Sequence, residues 1–204
     1  MKNFKNIIFD LGGIFIDIDY PKTEQAFIEI GVLNFSDLYT QHHANPLFEK
    51  LETGKLTPAE FYDEFRKATI PTLSDKQIMN AWNAMLGGFA TEKLDWLQQI
   101  KLKYNIYLFS NTNIIHYNCF QQIYKKTFGF KNFDDLFIHT YYSHDLGMRK
   151  PYPDSFIKIL EIEKLVPGET LFIDDTPKNI EGAKQAGLNT ILLTPPASVC
   201  ELEL

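Results

Sequence analysis

The sequence predicts an α/β fold: a Rossmann-like doubly wound parallel sheet core with an inserted helical cap domain. Three observations predict it. Short apolar runs recur along the 204-residue chain, as in Ile7-Ile8-Phe9, Tyr107-Leu108-Phe109 and Leu171-Phe172-Ile173. Continuous runs of this kind belong to parallel strands buried on both faces. From residue 89 onward, strand-like and helix-like segments alternate, the rhythm of βα units. Each run also leads into a polar cluster: Asp10-Leu11-Gly12-Gly13, Ser110-Asn111-Thr112-Asn113 and Asp174-Asp175-Thr176-Pro177. A fourth cluster, Arg149-Lys150-Pro151, follows Asp145-Leu146-Gly147-Met148. Open α/β sheets bind ligands beyond the carboxyl ends of their strands, so all four clusters are expected at one crevice.

Residues 5–10 read as the first strand. Residues 23–31, 46–53, 57–69 and 74–86 read as helices, and no strand is expected between Asp19 and Gly88. Thr57-Pro58-Ala59-Glu60 opens a helix, with Thr as cap, Pro in the first turn and Glu three residues on. Ser74-Asp75-Lys76-Gln77 has the same form. After Gly87-Gly88, helices over 92–103, 114–127, 154–163 and 179–186 alternate with extended segments over 106–109, 136–141, 170–174 and 190–193. Gly187 stands where a helix C-terminal glycine is expected. Residues 200–204 read as a poorly ordered tail.

Composition narrows the function. Apolar residues make up 45% and charged residues 23% of the chain, as in ordinary soluble globular proteins. The net charge of −6 argues against nucleic acid as a partner, which leaves a basic footprint. It leaves a phosphate ligand open, because the local field decides that binding. Cys119 and Cys200 match no metal-binding spacing and read as free thiols in a reducing compartment. The first apolar run is too short for a signal peptide or a membrane span, so no membrane partner and a cytoplasmic location are expected.

The clusters carry the chemistry. Asp10 ends a buried strand, where a carboxylate has no packing role. It reads as a turn residue or as a carboxylate nucleophile. Gly12 and Gly13 beside it let the backbone approach a ligand. Asp174 and Asp175 are adjacent like charges, which raise the pKa of at least one partner. A helix cap near Pro177 explains one of them but not both. If Asp10, Asp174 and Asp175 meet, one Mg²⁺ and Lys150 neutralise them, and Mg²⁺ favours a few carboxylates together with a phosphate. Ser110 to Asn113 suits either anion binding at a helix N-terminus or an ordinary cap. Lys150 reads as a phosphate ligand or a solvated lysine.

In combination and order, these clusters resemble the haloacid dehalogenase-like hydrolase superfamily, in particular its phosphatases, from residue 9 to residue 187. The resemblance implies that Asp10 is the nucleophile and forms an aspartyl-phosphate. It implies that Asp10, the backbone carbonyl of Gly12 and Asp175 bind Mg²⁺, and that Asp174 holds a metal-bound water or Lys150. Ser110, the amide of Asn111, and Lys150 would hold the phosphoryl oxygens. Such fixed donors offset charge on a transferring phosphoryl group. Residues 19–88 are similar to the family's small helical cap, which leaves 1–18 and 89–204 as a discontinuous core. The first two motifs look most like the branch containing α-D-glucose-1-phosphate phosphatase. The implied partner is a small phosphorylated metabolite, such as a hexose 1-phosphate, and the implied state is a monomer or weak homodimer.

One position departs from the pattern. Most phosphatases of the superfamily carry a second aspartate two residues after the nucleophile, and here that residue is Gly12. General acid–base help is worth about 10²–10⁴-fold in rate. Either a metal-bound water, Asp17, Asp19 or His116 supplies the proton, or the substrate has an easier leaving group, such as an anomeric oxygen. Asp17 and Asp19 also read as caps or hinges. His42, His43, Tyr39, Phe48, Phe61, Tyr62, Phe65 and Trp82 read as core or surface. The turn Glu52-Thr53-Gly54-Lys55-Leu56, Lys55 included, reads as a substrate contact through the family's cap loop. Two alternatives stay open: a 2-haloacid dehalogenase, which needs no metal, and a non-catalytic phosphate-binding module, suggested by Gly12.

Overall fold

The computed structural model describes residues 4–40, 43–129 and 132–204. His42 and the side chain of His43 lie outside the described residues. In chain order the strands are β1 (Asn6–Phe9), β2 (Ile16–Ile18), β3 (Tyr39–Thr40), β4 (His43–Ala44), β5 (Leu86–Phe89), β6 (Asn105–Ser110), β7 (His139–Tyr142), β8 (Thr170–Asp174) and β9 (Asn189–Leu192). The helices are α1 (Tyr20–Glu29), α2 (Pro46–Glu52), α3 (Pro58–Ala68), α4 (Asp75–Asn83), α5 (Thr91–Ile100), α6 (Ile114–Phe128), α7 (Ser143–Leu146), α8 (Pro153–Glu163) and α9 (Pro177–Gln185).

Five strands form one parallel sheet in the order β7-β6-β1-β8-β9. The central strands are apolar because helices cover both faces. Ile7, Phe9, Leu108 and Ile173 pack on one side with Leu97 and Phe120. Ile8, Phe109 and Phe172 pack on the other with Phe156, Ile159 and Ile180 of α8 and α9. Phe9 lies opposite Leu108 on β6 and Ile173 on β8. The register therefore brings Asp10, Ser110 and Asp174 out at the same edge of the sheet.

The segment between β2 and β5 is held by its own aromatic cluster, including Phe27, Phe35, Phe48, Phe61, Phe65 and Trp82. Each buried ring contributes about 1.5–3 kcal/mol relative to exposure. The aromatics read as core are buried, with Tyr39 half-buried. Both expected capping boxes form: Glu60 N donates to Thr57 Oγ1 at 3.3 Å while Thr57 N donates to Glu60 Oε2 at 2.8 Å, and Ser74 and Gln77 repeat the exchange.

Several local expectations need correction. Strands do occur in the helical segment: β3 pairs with β4, and β5 pairs with β2, tying the segment's entry to its exit. Two-residue strands are too short to show alternation, and Gly87-Gly88 masks β5, since glycine weakens the strand signal. Residues 136–141 are not extended throughout. A 3₁₀ turn at Phe133–Leu136 comes first and β7 begins at His139. The Arg149-Lys150-Pro151 cluster follows the helical turn α7 rather than a strand end. The tail is ordered as well. Ser198 caps a turn at Val199–Glu201, Val199 is buried, and Leu202 and Leu204 pack on the core. Apolar residues at 199, 202 and 204 outweigh the entropy of a chain end.

Candidate active site

A cavity of about 850 Å³ lies between the carboxyl edge of the sheet and the helical segment. Asp10, Gly12, Ser110, Asn111, Lys150 and Asp175 all line it. Asp10 follows β1 and is fixed by the sheet, its N–H donating to Ile173 O at 2.9 Å. Lys150 is 1% exposed. Its Nζ lies 2.7 Å from Asp10 Oδ1 and 2.7 Å from Asp174 Oδ2, and 5.5 and 5.4 Å from the ring centres of Phe109 and Phe172.

Asp174 and Asp175 have different surroundings. Asp174 is fully buried. It accepts from Lys150 Nζ, from Thr176 N at 2.7 Å, and from Asn179 Nδ2 at 3.1 and 3.0 Å on its two oxygens. Asp175 accepts one side-chain bond, from Thr176 Oγ1 at 3.0 Å, and faces the cavity. Gly13 makes that position possible. Its φ is +70°, and a Cβ there would collide with the Asp175 carboxylate. At position 12 a Cβ would stand 3.2 Å from Ile18 Cγ1, a tight contact that a small shift of the Ile18 side chain would have to relieve.

Three carboxylates thus crowd around one ammonium, which pairs directly with Asp10 and Asp174. Oxygens from Asp10, Asp174 and Asp175 lie within 4.8 Å of one another. Burial, reinforced by Asp174 and Asp175, pushes the Asp10 carboxyl up to about 7 against the pull of Lys150. Burial and Asp174 raise Asp175 too. Burial disfavours charge on Lys150, but Asp10 and Asp174 outweigh it and raise its pKa. A divalent cation fits this arrangement: the two carboxylates with unfilled acceptor capacity, Asp10 and Asp175, are the ones that face the cavity. Asp174 is saturated by its neighbours, so its contact is with Lys150 rather than with a guest.

The other expected site residues divide. Ser110 reaches the cavity. Asn111 lines it as well, but its side chain is spent on Lys150: Nδ2 donates to Lys150 O and Oδ1 accepts from Lys150 N, both at 2.9 Å. Asp19 caps α1 by accepting from Lys22 N. The Asp17 side chain is 76% exposed and lies 3.7 Å from Lys93 Nζ. His116 is buried and stacked on Trp82, with its Nε2 3.1 Å from Trp82 O, and burial drops its pKa to about 4. Lys55 is exposed and away from the cavity, whereas Glu52 from the same turn lines it. Gly54 there packs on the main chain of His144, where a side chain would collide. Sequence reasoning missed Asn179 as the anchor of Asp174 and Arg149 as the partner of Glu52, at 3.1 Å. Arg149 sits inside a quoted motif and Asn179 two residues beyond one, but nothing local marks them.

The sequence profile of the haloacid dehalogenase-like hydrolases matches residues 4–187. The chain belongs to that family. A D-ribitol-5-phosphate phosphatase of Bacteroides thetaiotaomicron is 32% identical over 91% of this chain and 90% of its own length. A HAD family enzyme from the same organism, crystallised with magnesium and inorganic phosphate, superimposes with a TM-score of 0.82 at 36% identity, covering 96% of both chains. A 2-haloacid dehalogenase from Pseudomonas syringae shares the fold alone, at 18% identity and a TM-score of 0.59 over 98% of this chain and 90% of that one. The narrower resemblance to the α-D-glucose-1-phosphate phosphatase branch has no counterpart among these three relatives.

Proposed function

We propose that this hydrolase is a Mg²⁺-dependent phosphatase acting on a small sugar or sugar-alcohol phosphate through an aspartyl-phosphate on Asp10. One observation carries the reading. Asp10 stands at the cavity floor with Oδ1 held 2.7 Å from Lys150 Nζ, which leaves Oδ2 for attack. The D-ribitol-5-phosphate phosphatase and the magnesium–phosphate complex among the relatives support it. The 2-haloacid alternative is less suited, because three crowded carboxylates repel an anionic substrate without a cation.

Asp10, Asp175 and the Gly12 carbonyl are the groups that would hold Mg²⁺, which supplies positive charge against the phosphoryl oxygens. Asp10 Oδ2 attacks phosphorus, and the bond from phosphorus to the leaving oxygen breaks. Lys150 Nζ, Ser110 Oγ and the Asn111 N–H hold the phosphoryl oxygens as charge shifts. Asp174 acts through Lys150, fixing its ammonium. Water then cleaves the aspartyl-phosphate and restores Asp10. The leaving oxygen takes its proton from water, because Gly12 offers no side chain, Asp19 is a cap, His116 is committed to Trp82, and the Asp17 side chain at the cavity edge is turned to solvent beside Lys93. In this reading residues 19–88 act as a cap that shields the reaction in the core formed by 1–18 and 89–204.

The test is Mg²⁺-dependent release of phosphate from p-nitrophenyl phosphate and from a panel of anomeric and primary sugar phosphates. Asp10→Asn is expected to lower turnover by at least about 10⁴-fold, the scale of losing a nucleophile. Turnover of a chloro-acid in chelator, or Mg²⁺-dependent phosphate binding with no hydrolysis, would replace this reading with one of the two alternatives.

A further inference from the structure

The cavity that holds the phosphoryl site also carries a charged group that the reaction does not use. Glu52, at the end of α2, is 4% exposed, and it lines the cavity with Tyr39, Arg149 and Tyr20. Tyr39 OH donates to Glu52 Oε1 at 3.1 Å. Arg149 Nη2 lies 3.1 Å from Oε2 as an ion pair. Yet among the described residues Glu52 Oε2 accepts no well-formed hydrogen bond and Arg149 Nε donates none. A buried carboxylate and guanidinium are costly unless their remaining bonds are made. Arg149 directly precedes Lys150, and both line the same cavity as Glu52.

We propose that Glu52, held by Arg149 and Tyr39, is the specificity-determining residue that reads hydroxyl groups on the leaving group, selecting polyhydroxylated phosphates. The proposal rests on the phosphatase reading for its reaction but not for its binding. Both atoms are enclosed in this conformation, so a ligand reaches them only as the wall side chains shift; a hydroxyl both donates and accepts, so one group can then satisfy the carboxylate oxygen and the guanidinium N–H together. A carboxylate-bearing leaving group fits worse, because the charge of Arg149 is already met by Glu52 and Glu49 also lines the cavity. A nucleobase fits worse too. Tyr39 packs its ring against Tyr20, Phe48 and Trp82, which leaves its hydroxyl rather than its face for a ligand. A plain alkyl chain leaves the buried polar atoms unmet. A site built around such groups discriminates strongly against analogues that lack the hydroxyl.

The test separates binding from turnover. The full chain carrying Asp10→Asn is titrated, with Mg²⁺, with a five-carbon alditol 5-phosphate and with pentyl phosphate. The alditol phosphate is expected to bind at least about tenfold tighter, and adding Glu52→Gln or Tyr39→Phe is expected to erase most of that preference while pentyl phosphate binds as before. In the active protein, Glu52→Gln is expected to lower kcat/KM for the alditol phosphate by about 10–100-fold and for p-nitrophenyl phosphate by less than about threefold. Equal binding of the two phosphates to the Asp10→Asn protein overturns the proposal. So does an equal loss for both ligands in the Glu52 and Tyr39 variants, which marks a merely structural role. Tyr39→Phe removes a single hydroxyl and serves if Glu52→Gln does not fold. Absence of hydrolysis with the binding preference intact would sink the phosphatase reading and leave this one standing.

Discussion

The inner and outer halves of the site are built on opposite terms. Asp174 and Asp175 are neighbours in sequence, yet Asp174 is buried with every bond made, and Asp175 hangs in the cavity with one side-chain bond and a raised pKa. The inner half is a finished ion-pair network around Lys150. The outer half, Asp10 and Asp175, concentrates negative charge that Lys150, shared between Asp10 and Asp174, only partly offsets. Rigid support and unmet charge are both needed: the first holds the groups in place, and the second makes binding a cation favourable.

The sharpest way to break this contrast is to remove one carboxylate at a time. Asp174→Asn strips a buried partner from Lys150 and is expected to destabilise the metal-free protein by about 3 kcal/mol, at the lower end for breaking a buried pair because Asp10 remains. Asp175→Asn relieves repulsion and is expected to change metal-free stability by less than about 1 kcal/mol, in the stabilising direction. It should, however, abolish the stabilisation that Mg²⁺ gives. Urea unfolding with and without Mg²⁺ reads both, and matched losses in the two variants would erase the distinction.

A smaller effect is expected at Asn111. Its two side-chain bonds to the Lys150 main chain belong to the inner half, although sequence pattern assigns the residue to phosphate. Asn111→Ala is expected to destabilise by about 2 kcal/mol, two bonds at about 1 kcal/mol each. Activity should fall chiefly through kcat, since the backbone N–H of residue 111 is retained. A change confined to KM would move Asn111 to the outer half.

Asn111 also shows how far the sequence could be read. The central strands were legible because their apolar runs are uninterrupted, and Asp10, Ser110, Lys150 and Asp175 because each follows such a run or a glycine turn. They do share one cavity. What a side chain touches was not legible. The partner of Asn111 lies 39 residues away, that of Asp174 on Lys150 24 residues away, and that of Glu52 on Arg149 97 residues away. Local pattern encodes which strand end a residue occupies, whereas these long-range pairs depend on loop paths. The β3–β4 and β2–β5 pairs escaped for the same reason: their strands are stabilised by a partner and not by their own alternation.

Acidity gives the finest resolution of the two halves. The folded protein keeps the Asp10 proton up to about pH 7, against 3.8 for an unperturbed carboxyl. Between those values the folded state binds more protons than the unfolded chain, so metal-free stability falls as pH rises. For one group titrating at about 7, the loss from about pH 6 to about pH 8 is about 1.4 kcal/mol. Mg²⁺ competes with that proton, so its stabilising effect should be small at the acid end of the range and grow toward the alkaline end. Thermal melts at both ends, with and without Mg²⁺, provide the check, and Asp10→Asn should flatten the metal-free slope. If the slope survives that substitution, the proton sits elsewhere, and the uncompensated charge assigned to the outer half belongs to another group.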